Sequence, residues 1–184
     1  MDLLLKNPMY FFETYFAFSP IGFLIAFAVA VIVLAILCRH RFRSRTSRWI
    51  FIVIASLYLA VLIGITLLNT NRISSQSMNL NPMNNIREMF GDMGVHQVRG
   101  CISNIIFFIP FGIFVSIYFK YKRIIWSLLL SFCASVIIEA LQFVLHRGCA
   151  ETMDVVCNTL GAVIGAAITV LMINMIKRNN KAKE

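Results

Sequence analysis

The sequence predicts an all-α membrane protein. The expected fold is a bundle of five transmembrane helices with a short N-terminal interfacial helix, N-terminus outside and C-terminus cytoplasmic. Three observations lead there. Of 184 residues, 59% are hydrophobic and 14% charged, more apolar surface than a soluble core of this size can hide. Apolar runs reach about 18 residues or more, enough to cross about 30 Å of hydrocarbon as helix. Basic residues gather in alternate connections, as cytoplasmic loops do.

Residues 1–19 read as an N-terminal interfacial segment. Lys6, Pro8 and Glu13 interrupt its apolar residues, while Tyr10, Phe11, Phe12, Tyr15 and Phe16 crowd together. Aromatic amphipathic stretches of this kind prefer the membrane interface, and a cleavable signal would look cleaner. Residues 20–68 hold the first two spans, about 20–38 and 49–68. Pro20 stands near the first helical position, where its missing N–H costs least. Between the spans, Arg39, Arg41, Arg43, Arg45 and Arg48 stand with no acid among them, a cytoplasmic marker. Residues 69–100 read as an extracellular loop rich in Asn and Ser. Within it, 85–90 could form a short amphipathic turn of helix on the membrane surface.

Residues 101–176 read as a three-helix membrane core with spans at about 102–119, 124–145 and 155–176. Pro110 and Gly112 predict a kink in the first of these. Residues 177–184 form a basic cytoplasmic tail. With the arginine hairpin inside, 12 of the 17 basic residues fall on the inner side and five (Lys6, Arg72, Arg87, Arg99, Arg147) outside.

The net charge of +9 therefore reflects topology and contact with anionic lipid, and no nucleic acid partner is expected. No phosphate loop, His-Glu-x-x-His or paired Cys-x-x-Cys motif occurs, so neither metal nor cofactor is expected. Of the five cysteines, Cys38, Cys133 and Cys157 lie in or beside apolar helices, where a small apolar core role is the default. Only Cys101 and Cys149 fall near one outer surface, and a disulfide between them is not the expectation.

The chemistry concentrates at 124–165. A carboxylate within a hydrocarbon-length helix is expensive and usually faces protein or water at a functional place. Glu139 is such a residue, about 9 Å below the outer boundary at 1.5 Å per residue. Ser127, Ser131, Ser135 and Glu139 recur every four residues, with Gln142 and His146 extending that face. On the last span Asp154, Asn158, Gly161, Gly165 and Thr169 share a face, and Gly161-x-x-x-Gly165 allows close helix approach. The expected ligand-binding set is Asn104, Glu139, Gln142, Arg147, Asp154 and Asn158, lining a polar pocket open to the outer leaflet. The bland alternative is helix packing, with Gln142 and Asn158 bonding each other and Arg147 in a surface ion pair.

Asn104-x5-Pro110-Phe111-Gly112, then Glu139-x-x-Gln142, Arg147, Asp154-x3-Asn158-Thr159-Leu160-Gly161-x3-Gly165, taken in order, resembles the VanZ-like family of small bacterial membrane proteins. The resemblance covers about 99–176. The turn departs from the family habit of several acids just before Asp154, since Thr152 and Met153 stand there. The resemblance implies a multi-pass protein of the cell membrane that contributes to resistance to teicoplanin-like lipoglycopeptide antibiotics. The partner expected from the pocket is a membrane lipid or a lipid-linked cell-wall intermediate, with the lipoglycopeptide itself a further candidate. Two other readings stay open. One is an intramembrane enzyme with Glu139 as base and Arg147 as anion stabiliser; the other is a proton-coupled lipid transporter.

Overall fold

A computed structural model describes residues 17, 19–69, 78–91, 94–119, 124–146 and 150–181, the side chain of His96 excepted. In order the elements are α1 (Pro20–Leu37), α2 (Arg45–Leu67), β1 (Met78–Asn79), α3 (Pro82–Met89), α4 (Gly94–Tyr118), α5 (Ile124–Val144), β2 (Ala150–Glu151) and α6 (Thr152–Lys181). Five of them, α1, α2, α4, α5 and α6, are long and apolar enough to cross a membrane. The chain is an all-α multi-pass membrane protein. The interfacial helix expected at the N-terminus lies outside the described residues.

The chain divides into two compact units, residues 1–78 with 140–150, and residues 79–139 with 151–184. In the first unit, α1 and α2 form a hairpin. Ser19 Oγ caps α1 by accepting from Gly22 N at 3.3 Å, with Pro20 in the first turn. Ser44 Oγ does the same for α2 from Ser47 N, so the helix starts at Arg45, four residues before the expected Trp49. In the turn, Arg48 Nη1 donates to the Arg39 carbonyl at 2.9 Å and the Phe42 ring meets Phe51. Helix α2 buries Phe51, Ile52, Ala55, Ser56, Ala60, Leu62 and Ile65, whereas α1 buries only Ala30 among its residues. An apolar helix exposed nearly all round is what a lipid-facing span requires.

In the second unit, α4 and α6 lie so close that only glycine fits between them. A Cβ on Gly161 would stand 2.2 Å from Ile105 O, and one on Gly165 2.0 Å from Ile109 O. One on Gly112 would stand 1.8 Å from Ala162 O. The expected close approach is therefore made by α6 to α4, backbone against backbone. Pro110 lies inside α4, which continues to Tyr118.

Helix α4 starts at Gly94, well before the expected span, because its first turns are polar helix outside the hydrocarbon stretch. Helix α3 starts at Pro82, where Asn81 Oδ1 accepts from Met83 N at 3.0 Å. That boundary too precedes the 85–90 expected from amphipathicity alone.

The cysteine pairing corrects the sequence reading. Cys101 on α4 is disulfide-bonded to Cys157 on α6, with the Cα atoms 5.5 Å apart. The sequence assigned Cys157 to apolar packing because its span was placed from Val155. With α6 beginning at Thr152 and pressed on α4, its second turn instead meets the N-terminal part of α4. Cys149 lies outside the described residues, and Cys38 and Cys133 are free thiols.

Candidate functional site

The inward face of α5 carries the site. Ser127, Ser131 and Ser135 are fully buried and Glu139 is 7% exposed, as the four-residue spacing requires. Small hydroxyls satisfy themselves locally: Ser127 Oγ lies 3.2 Å from Ser116 Oγ, and Ser131 donates to the Leu128 carbonyl at 3.0 Å. The two residues nearest the C-terminal end of α5 reach further. Ser135 Oγ accepts from Asn158 Nδ2 at 2.7 Å, and Glu139 Oε2 accepts from the Glu151 backbone N–H at 3.1 Å.

Glu151 links that carboxylate to α3. Its side-chain Oε2 accepts from Nδ2 of Asn85, which is completely buried on the inner side of α3. Thr152 Oγ1 donates to the Leu80 carbonyl at 3.1 Å, tying the start of α6 to the segment entering α3. A buried carboxylate is thus steadied by a backbone N–H, and a half-buried one by a buried amide. Hydrogen bonds to the charged form offset part of the desolvation cost of each.

Two acceptors in this cluster are left over. Asn158 Oδ1 and Asn85 Oδ1 are buried and have no hydrogen-bond partner among the described residues. A buried unpaired acceptor costs about 1–3 kcal/mol, which a donor from water or ligand would relieve.

The six residues named from the sequence are distributed as follows. Glu139 and Asn158 are buried in the second unit, Glu139 one turn past Ser135 on α5 and Asn158 on α6 bonded to that serine. Asp154 is half-buried in the first turn of α6, where negative charge suits the helix N-terminus. Asn104 is half-buried on α4, one turn past Cys101. Gln142 is buried in the first unit, where its Nε2 donates to the Thr66 carbonyl at 3.1 Å. That carbonyl is one of the four that α2 leaves unpaired at its C-terminal end. The amide nitrogens of Gln142 and Asn158 therefore find partners other than each other. Arg147 lies outside the described residues.

Sequence reasoning missed Glu151 as the partner of the acid and Asn85 as the partner of Glu151. Asn85 was in a polar run with no marker of burial, and Glu151 looked like a surface charge. Only for Asn81-Pro82, a cap followed by proline, was a signal present that could have placed α3 and its buried side. Among the described residues no group of three or more His, Cys, Asp or Glu could hold a metal ion. The cluster offers carboxylate and amide oxygens, which recognise hydroxyl, amine or amide donors.

Residues 51–173 match the model of the VanZ/LLP1 family. A curated relative, Protein VanZ of Enterococcus faecium, is 32% identical over 120 residues, covering 60% of this chain and 67% of the relative. No solved structure matches.

Proposed function

Because the chain belongs to the VanZ/LLP1 family, we propose that it lowers sensitivity to teicoplanin-like lipoglycopeptides by holding a membrane lipid or lipid-linked cell-wall intermediate at an outer-leaflet polar site. The observation that carries this reading is the buried Glu139 carboxylate. It sits in a span beside amide oxygens that have donor capacity to receive. A headgroup bearing hydroxyl or amine donors complements those acceptors, and the apolar spans accommodate acyl chains. Asn104 and Asp154 stand on the same unit, and Arg147 would add an anion contact.

The Cys101–Cys157 disulfide supports the orientation with this end of the helices outside, since disulfides persist in oxidising compartments. The cationic turn between α1 and α2, read as cytoplasmic by its charge, agrees with it. A site at the outer face is where a glycopeptide that acts outside the membrane would compete.

Glu139→Gln and Asn158→Ala test the reading in cells lacking the native gene. Each should reduce teicoplanin protection at equal membrane abundance, with the envelope lipid profile unchanged. Full protection from both variants would remove the site from the mechanism. A changed lipid profile would favour catalysis, and pH-driven lipid flux in liposomes would favour transport.

A further inference from the structure

A second feature lies apart from the Glu139 cluster, at the junction of α3 and α4. A cavity of about 520 Å³ opens there, walled by Met89, Phe90, Val95, Val98 and Ile102, with Arg99 as its charged residue. No acid lines it. Arg99 makes no hydrogen bond or ion pair with another described residue. The nearby acid on α3, Glu88, accepts instead from Gln97 Nε2 at 2.7 Å. Gly94 also lines the groove, and a Cβ there would stand 2.2 Å from Met89 O.

The groove also has a direction. Val95, Val98, Ile102 and Ile106 are each exposed by 42–57% and recur along one side of α4. The apolar wall therefore continues from the cavity down the surface that the span turns outward. Phe90, 89% exposed, stands at the rim. A cation in the first turn of the span, one turn before Ile102 and two before Ile106 on that stripe, matches one kind of occupant: a single anionic headgroup carrying acyl chains.

We propose that this groove seats the phosphate of an anionic phospholipid on Arg99, with an acyl chain laid along Ile102 and Ile106. The proposal does not depend on the resistance reading, because it uses none of the residues around Glu139. Phosphatidylcholine carries the same phosphate but balances it with its own cation, so it should compete poorly.

The test is native mass spectrometry of the full chain in detergent, titrated with dioleoyl phosphatidylglycerol or dioleoyl phosphatidylcholine. Wild type should show a saturable phosphatidylglycerol adduct at least about fivefold tighter than the phosphatidylcholine one, a modest step for one charge-assisted contact. Arg99→Gln should abolish that preference. Val98→Trp, which fills the groove without touching the charge, should weaken both lipids. Arg87→Gln, an exposed arginine of α3 that does not line the cavity, should change neither. Equal losses from Arg87→Gln and Arg99→Gln would mean general surface charge and overturn the proposal, as would an unchanged preference in Arg99→Gln.

Discussion

Gly161→Ala puts one methyl group where α4 and α6 touch through their backbones. The new Cβ would stand 2.2 Å from Ile105 O, whereas an unstrained carbon-to-carbonyl contact needs about 3.3 Å. The difference, 3.3 minus 2.2, is an overlap of about 1.1 Å that no side-chain rotation can relieve, because the struck atom is backbone. The helices must separate, and the Cys101–Cys157 bond opposes this one turn away on each helix. Overpacking of this kind costs about 1–3 kcal/mol. For a chain of this length about 2 kcal/mol corresponds to a fall of about 4–8 °C in Tm.

Gly165→Ala, with its Cβ 2.0 Å from Ile109 O, should behave alike. The double variant should lose less than the sum, because one outward shift relieves both overlaps. The control is Gly100→Ala on α4, where a Cβ meets nothing within 4 Å and the change should be neutral or mildly stabilising. Thermal unfolding in detergent, followed by circular dichroism, reads all four. A Gly161→Ala protein melting with wild type, or a double variant losing the full sum, would refute the backbone-contact account.

Three further outcomes are expected. Glu139→Gln keeps an acceptor for the Glu151 N–H and should melt near wild type, whereas Glu139→Leu strands that N–H and should lose about 1–3 kcal/mol. Cys101→Ser and Cys157→Ser should each abolish the same mobility difference between reducing and non-reducing gels. Each should cost about 2–4 kcal/mol, the usual range for a long closed loop. Burial pushes the Cys38 thiol up, against the lowering influence of Arg41 and Arg48. Only the thiolate reacts, so maleimide labelling at Cys38 in a Cys133→Ser, Cys149→Ser background should be slow at neutral pH. It should still be rising above the range where an exposed cysteine has levelled off; a plateau at the ordinary cysteine value contradicts the burial.

Hydropathy and the spacing of charge were enough to read the five spans, because crossing hydrocarbon demands a length and composition that few other segments have. The same signal ends where the hydrocarbon ends. It therefore started α4 near Ile102 although the helix begins at Gly94, and missed that the turn before Asp154 leads straight into helix at Thr152. Glu139 and Asn158 were legible as residues out of place in apolar helices, and their shared face followed from helical period. Their partners were not legible. Glu151 acts through a backbone N–H, which carries no residue signature, and Asn85 arrives from a helix distant in sequence. The pairing of Cys101 with Cys157 depends on how α6 docks on α4, which spacing alone leaves open. Gly161 and Gly165 announced a close neighbour but not that the neighbour is α4.

A weld and a seam of touching backbones fasten α4 to α6 over three successive turns. Such a pair acts as a fixed mast, since sliding or parting it would break a covalent bond or open a packed interface. Beside it α3 is held by the Asn85–Glu151 and Gln97–Glu88 hydrogen bonds, and the segment entering it by the Thr152–Leu80 bond.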